Sequence, residues 1–581
     1  MKLDYNIAPG LDLTLRTGMN QYSLTRSYKE PKSYVAYDYI SNGNYGLLNE
    51  NSLNLNTDFI ASYNKKLSDN IGLRVSVGGA NRWRQFQSAF VKTDGLVIPG
   101  FYHLSNTQNP LQGIDRFDPT NLRDSKQEEK VNSVYGTLDL ELWNSVFLGF
   151  TARNDWVSTL PVKNNSFFYP SVSLSGVISD FVDLTNLQVS FLKVRASWSR
   201  VTDGKIRALD DQLGAGYPYQ HIPAYSPGVT WNNSPSLGFP STLIDDDLKP
   251  ETSDTFEAGL DARFFQGRLG IDVAVYQIHD FDNITAVPMS VSSGYESRLL
   301  NGGEFSRKGL EITLTAAPIK TNQFSWDIVV NWSKFHKYLE SVYDGSDRLG
   351  FIHTGSRWDQ IWGFAYSRTP GGRLILRDDG FPLNDPYTRY LGNTDPDFIF
   401  GVQNTFTYKA FSLGISVDGR IGGKMYSTTN QKMWWGGTHP GTVNQFRDDA
   451  NAGLATYIAD GVVVVEGDVT YDQDGKILTD TRIYAPNTTP VNYISWNINT
   501  SNAYLNHYYD QSFVKLREIV VTYNIPRQVL SKTFLTKASV SLVGRNLAVW
   551  TDLPEVDPDP GEDNLQTPST RNMGFNLNFS F

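Results

Sequence analysis

Apolar and polar residues alternate with a period of two along most of this chain, which predicts β-strands from one end to the other. Near the C-terminus, Phe575, Leu577 and Phe579 share one face, with small or polar residues between them. The same alternation covers residues 11–16, 138–142, 192–199, 310–316 and 411–421. We count about 16 or 17 such segments, many of them near the roughly 9–11 residues that cross a bilayer as a tilted strand. Helical periodicity is nearly missing, so the sequence predicts an all-β chain.

Short and long connections take turns between these segments. The short ones lie at 66–70, 143–146, 265–268, 319–323 and 408–410. The long ones run over 86–130, 203–251, 341–396, 428–505 and 551–569. Tight turns at one end of a sheet and long loops at the other are typical of an outer-membrane barrel, whereas a soluble sandwich has short loops at both ends. The pattern therefore favours a large antiparallel transmembrane β-barrel with long extracellular loops and short periplasmic turns.

Composition narrows the classes of function. Of the 581 residues, 13% are aromatic and only 19% are charged, so the chain can bury enough apolar surface to fold. The formal net charge of −10 disfavours a nucleic-acid binder, which needs a basic surface. Because cysteine is absent, disulfides, thiolate metal sites and cysteine nucleophiles are excluded. No apolar run reaches the ~18 residues of a transmembrane helix.

Several segments resemble the SusC/RagA family of TonB-dependent outer-membrane transporters of Bacteroidota-type bacteria. They are RNDWVSTLPVKNNSFFYPSVSLSGVISDF (153–181), KVRASWSRVTDG (193–204), LKPETSDTFEAGLDARFFQGRLGIDVAVY (248–276), NGGEFSRKGLEITLTAAP (301–318), FVKLREIVVTYNIP (513–526), SVSLVGRNLAVWT (539–551) and PSTRNMGFNLNFSF (568–581). The resemblance runs in the same order along nearly the whole chain. A terminal aromatic residue, here Phe581, is what the barrel-assembly machinery reads as its assembly signal in this class.

The resemblance implies a barrel of roughly 22 strands, closed around a plug. Family members begin with a signal peptide, often a carboxypeptidase-like domain, a TonB box and the plug, and none of these is found here. Residues 1–581 are therefore expected to be the C-terminal part of a TonB-dependent receptor barrel. This polypeptide by itself is expected not to transport.

Charged residues within the alternating segments are expected to face the lumen, because an arginine or lysine that faces lipid near the midplane costs roughly 2–4 kcal/mol. The predicted lumen-facing set is Asp12, Arg16, Asp139, Glu141, Lys193, Arg195, Glu311, Asp418 and Arg420. In the segment 411–421, Leu413 and Ile415 alternate with the charged positions and are expected to face lipid.

Aromatic residues in the long loops form the candidate ligand-binding set, since flat rings stack on sugar faces while their polar edges form hydrogen bonds. The set is Tyr217, Tyr219, Trp231, Trp358, Trp362, Trp434 and Trp435. Long loops also bury aromatic rings in packing cores of their own, which is the structural alternative for each ring.

Catalytic and metal-binding patterns are weak. The seven histidines are scattered, and neither a nucleophile elbow nor a phosphate-binding loop occurs. Asp472, Asp474 and Gly475 echo part of a calcium loop, but Thr470 and Thr481 fall where that loop needs ligands, so a hairpin turn is the favoured interpretation. For the acidic stretch 557–564, a solvated loop is favoured over a cation site. We expect no enzyme, no catalytic residue, no cofactor and no metal.

The function implied by the resemblance is TonB-dependent import of a large nutrient, a glycan or an oligopeptide, across the outer membrane. A SusD-like surface lipoprotein would cap the barrel, and TonB–ExbB–ExbD would act through the missing N-terminal part. Outer-membrane lipid and the barrel-assembly machinery are further expected partners, and nucleic acid is not. Two alternatives stay open: a passive outer-membrane channel or adhesin, and a soluble secreted β-rich glycan-binding protein.

Overall fold

One antiparallel sheet dominates the structure. The computed structural model describes residues 1–32, 42–112, 124–204, 225–227, 234, 236–501, 503–531, 533–559 and 563–581. Its largest sheet has 18 strands, one of which, Thr107–Gln112, is a short segment paired only with the end of a longer neighbour. The other 17 strands form a wall in which each strand pairs with the next along the chain. This count agrees with the sequence prediction.

The 17 strands of the wall are β1 (Lys2–Ala8), β2 (Leu11–Glu30), β3 (Asn44–Ser68), β4 (Ile71–Leu96), β5 (Asp124–Leu142), β6 (Val146–Val157), β7 (Ser166–Val177), β8 (Val189–Asp203), β9 (Glu251–Phe264), β10 (Leu269–Phe281), β11 (Glu304–Lys320), β12 (Phe324–Ser341), β13 (Phe398–Tyr408), β14 (Phe411–Ile421), β15 (Phe513–Asn524), β16 (Lys537–Thr551) and β17 (Asn572–Ser580).

The connections alternate between the two ends of the sheet, as the sequence predicted. One end carries tight turns, such as 143–145 between β5 and β6 and 265–268 between β9 and β10. Trp143 and Asn144 both have positive φ, which is the backbone that makes a two-residue hairpin turn follow the strand twist. The other end carries the long loops, to which the structure adds 158–165, 282–303 and the connection from Glu30 to Asn44.

Two neighbouring strands are much longer than a bilayer requires. β3 has 25 residues and β4 has 26. At about 3.3 Å per residue each spans roughly 80 Å, against a hydrocarbon core of about 30 Å. The sequence predicted a loop from residue 86, yet the ladder continues through pairs such as Leu48 with Phe90. The alternation of apolar and polar residues fades at this end of the two strands because neither face contacts lipid there. The pairing of the two backbones nevertheless continues.

Compact packing occurs mainly among the loops. Leu160, Leu248, Ile284 and Leu299 form one buried apolar cluster at the long-loop end. A wall with lipid on one side and water on the other has no interior of its own, so most fully buried apolar side chains lie where loops fold on each other.

Short elements lie in the connections between the strands. Among the described residues are four short helices that the sequence did not predict: α1 (Thr428–Trp435), α2 (Gln445–Asn451) and α3 (Tyr493–Ser501) in the long loop between β14 and β15, and α4 (Arg527–Leu530) in the connection between β15 and β16. The loop strands are Ser226–Pro227, Leu237–Gly238, Thr242–Ile244, Ile284–Pro288, Ser297–Asn301, Arg348–Leu349, Ile352–His353, Gln360–Tyr366, Ile375–Leu376, Asn384–Asn393, Lys424–Tyr426, Val462–Glu466, Val469–Tyr471, Ile477–Asp480, Ile483–Pro486 and Tyr508–Asp510. Within the part of the chain that is described, no helix has the length and apolarity needed to span a membrane.

Candidate functional site

The two faces of the wall differ sharply in polarity. Residues paired directly across strands point to the same face, so a row of partners can be followed from strand to strand. One row from β2 to β9 is Asp12, Ser62, Ser76, Thr137, Thr151, Ser171, Ser199 and Thr255. A row on the opposite face is Leu11, Tyr63, Val75, Leu138, Phe150, Val172, Trp198 and Phe256. One face is therefore polar and the other apolar.

All nine charged residues that were predicted to face the lumen lie on the polar face. Thr255 pairs with Ile278 and Ile278 with Arg307, which carries the polar row onto β11. Glu311 lies four positions beyond Arg307 on the same face. Glu311 reaches Arg420 of β14 through Ser333 and Ile399. That this shared face lines a water-filled lumen stays a prediction.

The polar face is concave. A cavity of about 800 Å³ is lined by neighbouring strands from Asn64 of β3 to Glu257 of β9. In a flat sheet those two strands would lie roughly 29 Å apart at the usual spacing of about 4.8 Å, too far to share one such cavity. Four predicted residues line it: Asp139, Glu141, Lys193 and Arg195.

A second cavity brings together three more of the predicted residues. Its volume is about 550 Å³, and Glu311, Asp418 and Arg420 line it. Two loop residues line it as well: Gln511, in the loop before β15, and Asp559, in the loop between β16 and β17. Loop residues therefore reach onto the polar face.

Ion pairs run across the polar face between strands. Arg195 donates two hydrogen bonds to the Asp272 carboxylate, at 2.8 and 2.9 Å. Arg16 donates to Asp58 at 3.1 Å. These side chains are partly exposed, and such pairs contribute at most about 1 kcal/mol each to stability. Their more important effect is to give each charged group a partner, because the backbone N–H and C=O groups of the strands are already used in strand pairing.

The last long loop, 552–571, is fastened to the polar face by a charge cluster. Lys515 Nζ, on a side chain only 3% exposed, lies 2.6 Å from an Asp557 oxygen and 3.1 Å from Asp559. Arg517 donates to Asp559 at 2.5 and 2.7 Å and to Asp418 at 2.6 Å. The loop is thus bound to β15 through Lys515 and Arg517, and Arg517 also pairs with Asp418 of β14.

The electrostatics of the two loop carboxylates follow from these contacts. Burial raises the pKa of Asp557, but hydrogen bonds from Lys515 and Ser569 outweigh it and leave the pKa below its ordinary value. The hydrogen bond from Arg517 lowers the pKa of Asp559 to about 2, and Lys515 acts in the same direction. Both carboxylates are therefore ionised at neutral pH and hold the loop in place.

Sequence analysis missed Lys515 and Arg517. Both lie in the alternating stretch Phe513-Val514-Lys515-Leu516-Arg517, so the period that identified the other charged positions would have found them. A bulge between Leu516 and Glu518 interrupts the pairing with both neighbouring strands. Their partners Asp557 and Asp559 had been interpreted only as part of a solvated acidic loop. The structure shows instead that both form ion pairs with side chains, Asp557 with Lys515 and Asp559 with Lys515 and Arg517.

The loop aromatics are placed in different surroundings. Trp358 packs edge-to-face on Phe305 at 4.8 Å within a buried apolar cluster. Trp362 stacks on Phe351 at 5.4 Å. Trp434 lines a cavity, whereas Trp435 is 55% exposed. Tyr217, Tyr219 and Trp231 lie outside the described residues.

The calcium-like stretch forms the favoured hairpin. Val469–Tyr471 pairs with Ile477–Asp480 around the turn at Asp474 and Gly475. One Asp472 oxygen accepts hydrogen bonds from the backbone N–H groups of Asp474 and Lys476, as in an Asx-turn. Across the described residues, no group of three or more His, Cys, Asp or Glu side chains is placed to hold a metal ion.

The terminal residue has a defined neighbour. The Phe581 ring lies parallel to Phe534, which belongs to the turn before β16, with 5.6 Å between centroids and 3° between planes. Its role as an assembly signal stays a prediction.

Cysteine labelling should distinguish the two faces, because the chain has no native cysteine. We expect Ser416→Cys to react with a water-soluble maleimide in intact outer membranes at least about tenfold faster than Ile415→Cys. Ser416 lies on the polar face with Asp418, and Ile415 lies on the apolar face, where lipid excludes the reagent. Equal rates at the two adjacent positions would contradict the assignment of faces.

A wall with one apolar face, one concave polar face and long loops at a single end defines an outer-membrane β-barrel protein. The chain belongs to the family "TonB dependent receptor-like, beta-barrel", which matches residues 1–352. It is accordingly a protein of the outer membrane, in a family of transporters.

Individual relatives confirm the predicted SusC/RagA resemblance. The TonB-dependent receptor P3 of Formosa agariphila is 24% identical over 485 residues, covering 77% of this chain and 44% of that receptor. The TonB-dependent receptor SusC of Bacteroides thetaiotaomicron is 24% identical over 328 residues, covering 51% of this chain and 31% of SusC. The chain thus spans about half the length of such relatives, or less.

The fold agrees with a solved transporter. The structure of the RagAB peptide importer in its closed-closed state matches 100% of this chain and 61% of that chain, with a TM-score of 0.73 and 17% identity. At this level of identity the match establishes the fold alone.

Proposed function

We propose that this chain forms the barrel wall of a transporter that imports a large nutrient across the outer membrane by a TonB-dependent mechanism. The nutrient is a glycan, with an oligopeptide as the second choice. A SusD-like lipoprotein covers the long-loop end, and TonB–ExbB–ExbD supplies energy through a part of the protein outside residues 1–581.

The observation that carries this proposal is the concave polar face. Charged and hydroxyl side chains line it across many strands, and the cavities along it measure about 800 and 550 Å³. A barrel wall of 17 strands or more leaves far more space inside than side chains fill, unlike an eight-stranded barrel. Such a lumen suits the passage of a hydrated solute with many hydroxyl or amide groups.

Family membership supports the energy coupling. The relatives named above are TonB-dependent receptors. The long loops here reach the lumen side through Asp559 and Gln511, which gives the solute a lined entrance.

Uptake measurements test the proposal. In the source bacterium, we expect in-frame deletion of residues 1–581 from the complete gene to abolish growth on one polymeric nutrient, with unchanged growth on its monomer. A protonophore should stop uptake of the fluorescently labelled polymer within minutes. Uptake that persists without a proton-motive force would instead support the passive channel, and recovery of the protein in the aqueous fraction would support a secreted binding protein.

A further inference from the structure

A cavity of about 380 Å³ lies within the loop between β14 and β15, among α1, α3 and the turn before β15. Its size falls at the lower end of the range for small-molecule sites. The lining carries indole, phenol, amide, hydroxyl and imidazole groups. Among its described residues none is Lys, Arg, Asp or Glu.

Helix α3 turns its polar side to this cavity. Tyr493, Trp496, Asn497, Thr500 and Ser501 line the cavity and recur at the i, i+3, i+4, i+7 spacing of one helix face. Asn497 and Ser501 are only 6% and 3% exposed.

The aliphatic residues of α3 are turned outward instead. Ile494 and Ile498 are 37% and 39% exposed. A helix that served only to pack the loop would bury its isoleucines and expose its asparagine and serine. The inverted arrangement indicates that the buried face is built for a polar ligand.

Aromatic rings form rigid walls. The Trp434 ring is backed by His439, with 4.2 Å between centroids and 20° between planes. Gly441 permits this arrangement, because a Cβ there would come within 2.8 Å of the indole. Trp496 is backed by Phe381 at 6.2 Å and contacts the Tyr457 ring at 5.4 Å. Both indoles are thus fixed in place while they line the cavity.

His507 contributes an unpaired polar group. Its side chain is 3% exposed, it lines the cavity, and neither ring nitrogen meets hydrogen-bonding geometry with a described residue, although the Ser501 backbone is close enough to act on the ring. Burial lowers its pKa, although the nearby backbone of Ser501 acts in the opposite direction. A neutral imidazole offers one donor and one acceptor, which is the complement of a hydroxyl group.

We propose that this cavity is a subsite for one uncharged sugar ring, which stacks against Trp434 or Trp496 and accepts and donates hydrogen bonds at His507 and Asn497. The inference rests on the proposed import function and specifies the class of substrate. Uronic acids, sulfated sugars and peptide termini are disfavoured, because the cavity offers no opposite charge to a buried charged group. An apolar peptide side chain would leave His507 and Asn497 unpaired.

Binding to the complete transporter, purified in detergent, tests the subsite. The probes are maltohexaose, laminarihexaose, xylohexaose and mannohexaose, with hexagalacturonate and hexaalanine for comparison, all titrated by calorimetry. We expect at least one uncharged hexaose to bind and Trp496→Ala to weaken it about tenfold, the size of one stacking contact. His507→Leu should weaken binding similarly, while His507→Gln, which keeps a donor and an acceptor, restores most of the affinity.

Ile498→Ala is the matched control, because Ile498 lies on α3 two residues after Trp496 but is 39% exposed and does not line the cavity. Its affinity should equal that of the wild type. A cryo-EM map of the wild-type transporter with the tightest-binding hexaose should place a sugar ring between α1 and α3. This result does not depend on whether the variants fold.

Three results would overturn the subsite: no uncharged hexaose binds, only hexagalacturonate or hexaalanine binds, or the hexaose density lies elsewhere. Protonophore-sensitive uptake of a polymer in the same strain would then leave the import function standing. Loss of that sensitivity would reject the import function itself.

Discussion

Replacing Leu314 with arginine is expected to destabilise the barrel by about 3 kcal/mol, near a hundredfold in the folding equilibrium, because the guanidinium would face lipid. Leu314 lies in the middle of β11 on the apolar face, between Ile271 and Val330 of the neighbouring strands. The change is measured as the urea midpoint of the complete transporter in lipid vesicles, followed by heat-modifiable gel mobility. Less assembled protein in the outer membrane should accompany it.

The adjacent Thr313→Arg is the matched control. Thr313 lies on the polar face, lines the 550 Å³ cavity with Glu311 and pairs with Asp272. An arginine there finds water and two carboxylates, so its effect on stability should stay within about 0.5 kcal/mol. Equal destabilisation at both positions would contradict the division of the wall into a lipid face and a lumen face.

Removal of the Asp557 carboxylate is expected to release the last long loop. Asp557→Ala deprives the buried Lys515 ammonium of its nearest partner, and removing one member of a buried pair costs about 3 kcal/mol. The same carboxylate also accepts hydrogen bonds from the backbone N–H groups of Asp559 and Ser569. We expect residues 552–571 to become the first site of cleavage by a protease added to intact cells, together with a lower unfolding midpoint.

Asp552→Ala serves as the control for that loop, because Asp552 is an exposed carboxylate of the same segment. It should leave both the cleavage pattern and the midpoint unchanged. Wild-type resistance to protease in Asp557→Ala would show that other contacts hold the loop, such as those of Asp563 with Ser427 and Thr429.

Alternation predicted the wall well, because a strand between lipid and water needs opposite polarity on its two faces at every turn of the pleat. It also predicted that residues as distant as Asp12 and Arg420 share a face, as the pairing shows. It failed on the last part of β4, which was predicted to be a loop from residue 86, since both faces there meet water and the apolar signal disappears. Backbone pairing alone extends that strand.

The cavity within the loop between β14 and β15 was harder to predict from the sequence. Residues 493–501 show the 3.6-residue period of a helix once α3 is known. The buried side of α3 is aromatic and polar, however, so a search for helices with one apolar face does not find it. The neighbouring indoles Trp434 and Trp435 looked equivalent in sequence. Only the fold of α1 separates them, with Trp434 in a cavity and Trp435 in solvent.

The sequence by itself determined the strand number, the alternation of turns and loops, and which residues share a face, because these depend on local period and on the polarity of lipid and water. The tertiary structure alone decided the contacts between distant loops. Lys515 meets Asp557, and Trp434 and His507 line one cavity, although no period relates their positions. Such contacts depend on how long segments fold back over the wall, and local preferences along the chain do not encode that geometry.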